Sequence, residues 1–186
     1  MELCALGSAT IEGLSAFLDS NAGRLAVFGY VSVHAPAREA RSRWPDVGPY
    51  LTGLPNLVDT VVVHPDLVDE TAIECLGPLG SRLCFENMDC TKETGRLPGQ
   101  LEEVFASFPD AGFCLDVAHV WTNDRSLGLG SALLERFGDR LRQVHLSGID
   151  DHAVHRLLTP DDLDLYAPLL ELCSHVPIVL ESRYQP

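Results

Sequence analysis

The feature that most constrains the fold is a repeat of short apolar segments, each of which ends on a histidine or an acid. The segment Thr60–Val63 (TVVV) precedes His64, and the segment Gly112–Leu115 (GFCL) precedes Asp116. Such runs are typical of buried strands in parallel sheets. The strand-end residues follow one another at intervals of about 30 residues, roughly one βα unit of a barrel. They are His34, His64, Glu86, Asp116, His145 and Glu181.

The segments between these strands have the spacing of helices. Ile11 and Leu18 share one face of a predicted first helix, which Gly23 is expected to end. Thr159 is placed to cap the last helix, with a proline at its first position. The polar residues 38–49 are predicted to form a long loop. This alternation predicts an α/β fold with a parallel sheet covered by helices.

Length and composition indicate one globular domain over residues 1–186. The chain is 46% hydrophobic, so it can bury a core, but a complete eight-stranded barrel typically needs about 250 residues. The net charge is −14, and Lys92 is the only lysine among 13 basic residues. Without a basic strip to neutralise phosphates, nucleic acid is a poor partner, and a small-molecule substrate is expected.

The cysteines and the apolar runs bear on the compartment. Six cysteines are scattered without a C-x-x-C pair, and several lie in or beside apolar strand segments. Reduced cysteine behaves there as a small buried hydrophobic residue, so a cytoplasmic protein is expected. No apolar run approaches the roughly 20 residues of a membrane span, and no membrane partner is predicted.

The strand-end residues suit a metal site. In a parallel barrel, the carboxyl ends of the strands open onto one face, so these side chains should converge there. Asp116 is followed by His119 one helical turn later. Taken singly, each residue is more often a solvated turn residue or a satisfied histidine. Taken together, carboxylates in a shared mouth would repel one another unless a cation held them, which predicts a divalent metal.

Six phrases of the sequence resemble one family in the same order. They are VSVHAP, VVVHP, CFENMD, GFCLDVAHVW, LRQVHLSGIDDHAVHR and PIVLES. They resemble the xylose isomerase-like TIM-barrel superfamily, which contains sugar isomerases and epimerases and the AP endonucleases of family 2. The resemblance is greatest to the sugar phosphate isomerase/epimerase group. MELCAL aligns with the second strand of the family, which implies a shortened barrel of seven parallel strands without the first βα unit. Association through the open edge, as a homo-oligomer, is expected.

The resemblance also implies roles for individual residues. Glu86, Asp116, His145 and Glu181 would hold one divalent metal (Mn, Zn, Fe, Co or Mg), and the two glutamates would exchange the substrate proton. His119 would contact the substrate. The endonuclease-type members add a second metal, here implying His34 and His64 with Glu86. They hold a third with His119 and an Asp-x-His pair. His155 is the best candidate for the last histidine, but Asp151 lies at the wrong spacing for that pair, while Asp150 and His152 have it.

Other strand-end and loop residues are candidates for substrate contacts. Asn87 and Asp89 are expected either to hold the ligand Glu86 or line the pocket, or else to begin a loop. Arginines after strands could anchor an anionic group of the substrate, although about half of them should simply be solvated. The candidates on the expected active face include Trp44, Trp121, Arg38, Arg41, Arg43, Arg125, Arg156 and Arg183.

Four functions remain open at this point. The leading interpretation is an isomerase or epimerase acting on a small sugar or hydroxy-carbonyl compound. The alternatives are a multi-metal phosphoester hydrolase of the AP endonuclease family 2 type and a non-heme iron enzyme. A binding protein that has kept the ligands for stability would belong to a different class.

Overall fold

A computed structural model describes residues 1–5, 7–37 and 43–181. They divide into two compact units. The first comprises the described part of residues 1–85 together with 104–112, and the second comprises 86–103 and the described part of 113–186. The assignment of residues 1–186 to one domain stays a prediction.

The first unit consists of strands that alternate with helices. Four strands pair in parallel in the order β1 (Glu2–Cys4), β2 (Ser32–His34), β3 (Thr60–Val63) and β4 (Leu83–Glu86). Glu86, the last residue of β4, belongs to the second unit. The helices are α1 (Ile11–Leu25), α2 (Trp44–Thr52) and α3 (Glu70–Leu76). All four residues of β3 are buried, as expected of a strand inside a parallel sheet.

The second unit contains three further parallel strands. Helix α4 (Pro98–Ser107) precedes β5 in the chain. Strands β5 (Gly112–Asp116), β6 (Leu141–Leu146) and β9 (Ile178–Leu180) pair in that order. Strands β7 (Gly148–Ile149) and β8 (His155–Arg156) form a small antiparallel hairpin. The helices of this unit are α5 (Val117–Asn123), α6 (Gly128–Phe137) and α7 (Pro160–Leu172).

The two units together confirm the predicted fold class. Four parallel strands in one unit and three in the other give, over the described ranges, the seven that the sequence predicted. The predicted cap of α7 is also present. Thr159 and Asp162 exchange hydrogen bonds between their side chains and backbone N–H groups, which satisfies donors at the first turn of the helix.

Two predicted boundaries in the first unit were wrong. Helix α1 continues beyond Gly23 to Leu25 because Ile11, Leu18 and Leu25 extend one buried stripe, and their burial outweighs the roughly 1 kcal/mol cost of a helical glycine. The predicted strand at Phe28–Val33 begins only at Ser32.

The predicted loop 38–49 is also corrected, because α2 begins inside it at Trp44. The indole of Trp44 is fully buried, and its Nε1 donates to the Leu67 carbonyl at 3.0 Å. An aromatic ring that fills the core therefore fixes the start of this helix, and Pro45 at the first turn is compatible with it. The candidates Arg38 and Arg41 lie outside the described residues, as does Arg183.

The last strand of the second unit has apolar side chains on its surface. Within the described residues β9 pairs with β6, and Ile178 and Leu180 are 45% and 66% exposed. Exposed apolar edges are sites where sheets associate. The association of copies through an open edge stays a prediction. No described helix has the length and apolar character that crossing a membrane requires.

Candidate metal centre

Four residues at the carboxyl ends of the strands meet in the second unit. Glu86 ends β4, Asp116 ends β5, His145 lies near the end of β6, and Glu181 follows β9. One ligand atom from each lies within 4.8 Å of the ligand atoms of the other three. Glu86, Asp116 and His145 are buried, while the Glu181 side chain is 23% exposed. The end of a parallel sheet therefore brings together three acids and an imidazole, with Glu181 on the solvent side.

The imidazole of His145 links the two glutamates. Its Nδ1 lies 2.8 Å from Glu86 Oε1 and 3.2 Å from Glu181 Oε1. Because a carboxylate only accepts, Nδ1–H is the donor in the metal-free protein. Nε2, the other ring nitrogen, lies 2.6 Å from Gln143 Nε2 and accepts a hydrogen bond from it. A cation on Nδ1 would require the proton to sit on Nε2 instead.

Asp116 has one satisfied and one unsatisfied oxygen. Oδ1 accepts from the backbone N–H of His119 at 2.7 Å and so caps helix α5, which the sequence analysis did not predict as a helix. Oδ2 is buried and has no hydrogen-bond partner. The pKa of Asp116 is raised to about 6, chiefly by burial; Glu86 contributes to the rise, while His119 and His145 oppose it.

Asn87 holds Asp116 in place. Its side chain donates to the Asp116 carbonyl and accepts from the Asp116 backbone N–H, both at 2.9 Å. This pair of hydrogen bonds fixes the backbone at the end of β5. Asn87 is 1% exposed, and its side-chain amide positions Asp116, which is a predicted metal ligand. Its predicted contact with substrate stays a prediction.

His119 and His155 present their Nε2 atoms to each other at 3.2 Å. His119 Nδ1 donates to the Asn87 carbonyl at 2.9 Å, and Ser147 Oγ lies 2.8 Å from His155 Nδ1. Burial lowers the pKa of His119, but Asp116 and other acids outweigh this effect, so the net shift is upward. The pKa of His155 is lowered, first by burial and then by His119.

These residues fit a divalent cation at two positions. Oδ2 of Asp116 is buried and accepts no hydrogen bond, so a cation would satisfy it, and carboxylates with imidazole suit Mn²⁺, Fe²⁺, Co²⁺ or Zn²⁺. Asp116, His119 and His155 form a second such group. Two nitrogens about 2.0–2.1 Å from a tetrahedral ion are about 3.3 Å apart, close to the observed distance between the two Nε2 atoms.

Two solved structures are similar to the chain. Endonuclease IV from Thermus thermophilus has a TM-score of 0.63 and 24% identity, over 98% of this chain and 78% of that one. The apo form of the 3-keto-D-glucoside 4-epimerase YcjR from E. coli has a TM-score of 0.55 and 12% identity, over 96% and 79%. Both likenesses are of the fold alone, and the chain has a shortened TIM-barrel fold. No protein-family model matches the chain, and no curated protein matches its sequence.

The other predicted ligands, His34 and His64, lie in the first unit. Their rings approach edge to face with centroids 5.0 Å apart, and His34 Nδ1 donates to the Ala35 carbonyl at 2.8 Å. The structure thus brings these two histidines together at the ends of β2 and β3. Their role as ligands of a second metal stays a prediction.

The remaining predicted residues have contacts of their own. Arg156 makes a bidentate pair with Asp162, at 2.7 and 2.8 Å, and this hydrogen bonding lowers the pKa of Asp162 to about 2. Arg125 lies over the ring of Trp121, 3.3 Å from its centre, and also pairs with the exposed Asp151. The substrate contacts predicted for Arg156 and Trp121 stay predictions.

Asp150 and His152, which have the Asp-x-His spacing expected for a third metal, lie in a turn. Asp150 Oδ1 accepts from the backbone N–H groups of His152 and Val154, which stabilises the turn of the β7–β8 hairpin. Within the described residues, no candidate metal group includes Asp150, Asp151 or His152. The carboxylate beside His119 and His155 is instead Asp116.

Gln143, which is fully buried beneath His145, was not among the predicted site residues. Residues two apart on a strand point to the same face, so the position of Gln143 relative to His145 was the available signal.

We expect Gln143→Leu to weaken metal binding about 10–100-fold, because His145 then loses the partner that orients it. Titration calorimetry measures this loss, and Gln143→Glu, which keeps an acceptor for Nε2–H, should restore most of the affinity. Arg142→Leu, exposed on the same strand, is the matched control.

Proposed function

We propose that the chain is a metal-dependent isomerase or epimerase that moves a proton at a carbon beside a carbonyl group of a small sugar-like substrate. The observation that carries this proposal is that Glu86 and Glu181 both approach His145 Nδ1, at 2.8 and 3.2 Å. Two carboxylates at one centre can act as base and acid in turn. A bound divalent cation would polarise the carbonyl and hydroxyl oxygens of the substrate.

The two glutamates are suited to different tasks. Glu181 is the more exposed one, and it can reach a substrate that enters from solvent. Glu86 is 1% exposed and is hydrogen-bonded by His145, so its carboxylate is held in one orientation. Glu181 therefore removes or returns the proton on the open side of the substrate carbon, and Glu86 serves the inner side. His119 extends the polar wall of the same site.

Charge favours a small substrate of low negative charge. The chain carries a formal charge of −14, so an extended polyanion would be repelled. The similarity in fold to a 3-keto-D-glucoside 4-epimerase is consistent with a sugar substrate. It supports the proposal through the fold, because the two sequences are only 12% identical.

A phosphoester hydrolase is the second candidate. The observation in its favour is the additional group of Asp116, His119 and His155, which could hold another cation beside the first. Two adjacent cations can stabilise both the attacking and the leaving oxygen of a phosphoryl transfer. The similarity in fold to endonuclease IV is consistent with this alternative. The substrate would then be a small phosphodiester.

Solvent deuterium exchange separates these two functions. Protein stripped of metal and reloaded with Mn²⁺ is incubated in D₂O with a panel of keto-sugars. We expect deuterium to enter one carbon position only when both protein and metal are present, as measured by mass spectrometry and proton NMR. The same preparation is tested for nitrophenol release from bis(4-nitrophenyl) phosphate. Phosphodiester cleavage without exchange would favour the hydrolase, and no exchange with any keto-sugar would count against the proposal.

A further inference from the structure

A fully buried cysteine lies directly beneath the candidate metal centre. Cys114 is two residues before Asp116 on β5, so both side chains point to the same face of the strand. In the register of β5 and β6, Cys114 lies opposite Gln143 and Asp116 opposite His145. Cys114 therefore belongs to the layer of side chains below the acids.

The thiol of Cys114 is close to two of the candidate ligands. Its sulfur, a carboxylate oxygen of Glu86 and a ring nitrogen of His145 all lie within 4.8 Å of one another. Three such atoms always leave a point that is no more than about 2.8 Å from each of them. Shifts of about 0.5–0.8 Å would bring them to the distances that zinc makes to oxygen, nitrogen and sulfur. All three residues are at most 1% exposed, so water does not compete for these atoms.

Independent evidence for a cation comes from the oxygen above this layer. Asp116 Oδ2 is buried without a hydrogen bond, 3.7 Å from His119 Nδ1, and Asp116 belongs with Glu86 and His145 to the four-residue group at the strand ends. Two buried carboxylates next to an imidazole and a thiol make a negatively charged pocket. The upper part of this pocket offers oxygen ligands, and the lower part offers sulfur.

We propose that Cys114 is a metal ligand, and that Glu86 and His145 can hold a thiophilic divalent cation against it. Binding replaces the S–H bond with a sulfur–metal bond and releases one proton to solvent, without oxidation or reduction. A hard cation such as Mn²⁺ binds instead against Asp116 and Glu181, because oxygen is its preferred ligand. The two positions share Glu86 and His145, so the softness of the ion decides which position is filled.

The test is the absorption spectrum of the metal-stripped protein titrated with Co²⁺ under anaerobic conditions. We expect a near-ultraviolet thiolate-to-cobalt charge-transfer band that saturates with the metal and is lost in Cys114→Ser. Cys173→Ser is the matched control, since Cys173 is a buried thiol on the same unit whose burial raises its pKa to about 11. We also expect Cys114→Ser to weaken Zn²⁺ binding about 10–100-fold and Mn²⁺ binding by less than about threefold.

Two results would overturn the proposal: Co²⁺ binding to the unaltered protein without this band, or a band that survives in Cys114→Ser. If the variant does not fold, the ¹¹³Cd NMR spectrum of the unaltered protein decides. A sulfur ligand moves the resonance downfield, and a resonance in the range of oxygen and nitrogen ligands alone overturns the proposal. The outcome is separate from the proposed reaction, because the band can be present in a protein that exchanges no substrate proton.

Discussion

Replacing Glu181 with Gln is expected to lower turnover of the exchanging keto-sugar about 10²–10⁴-fold, the usual contribution of a general acid or base. Gln has nearly the same shape and keeps one oxygen near His145 Nδ1, but it cannot take a proton from carbon. The fold should persist because Glu181 is partly exposed and its backbone N–H still donates to the Leu146 carbonyl. Rates are measured at saturating metal, so that weaker metal binding does not hide the chemical step.

The control for this variant is Glu171→Gln, an exposed glutamate at the end of α7. It removes the same charge from the same unit without touching the centre, so turnover should not change. Metal content of both variants is measured by elemental analysis. Unchanged exchange in Glu181→Gln would remove Glu181 from the mechanism and leave the proton transfer to another group.

Replacing Asp116 with Asn is expected to have opposite effects on the metal-free and the metal-loaded protein. Asn keeps the oxygen that caps α5 and removes a buried charge whose second oxygen accepts no hydrogen bond. The pKa of Asp116 rises from 3.8 to about 6 on folding, so its ionisation lowers the free energy of unfolding by about 3 kcal/mol at pH 7. The metal-free variant should therefore be more stable by up to about this amount. Its metal affinity should fall by more than the roughly 10–100-fold that loss of an outer-shell partner costs.

The contribution of Asp116 to the free energy of unfolding depends on pH. The pKa of Asp116 is raised on folding, so the native state binds the proton more tightly than the unfolded state does. Its contribution to stability is complete below about pH 4 and is lost as the pH rises through about 6. Urea unfolding is measured at pH 4 and pH 7 with chelator present. From pH 4 to pH 7, the free energy of unfolding should decline more in the unaltered protein than in Asp116→Asn. Asp139→Asn, an exposed carboxyl group, is the control; equal declines in both proteins would contradict the prediction.

The ends of the strands could be predicted from the sequence because buried parallel strands follow a regular pattern. A short buried run must stop where the chain turns, and its last polar residue then lies at the rim, as for Asp116 and Glu86. This rule predicted that six strand-end residues lie at one rim, and the structure brings four of them together in the second unit. The Thr159 cap of α7 could also be predicted, because helix capping depends on residues that are close in the chain.

The remaining features depend on contacts between residues that are distant in the chain. Trp44 begins a helix because its ring fills the core and reaches the Leu67 carbonyl, which the polar stretch before it does not indicate. The contact of Gln143 with His145, in contrast, joins near neighbours on β6, and it could have been predicted from their spacing. The positions of Glu86, Asp116 and Glu181 at the strand ends could be predicted from the sequence, but the orientations of their side chains could not.

The helix that begins at Asp116 has a consequence for how a cation would bind. Because Oδ1 is tied to the first turn of α5 and Asn87 clamps the peptide on both sides, the rotamer of this carboxylate is set when the chain folds. The loss of side-chain freedom, which a flexible ligand would suffer at the moment of binding, has already occurred. An incoming ion therefore meets a preorganised oxygen, and the entropy of association should be more favourable than for a mobile surface acid.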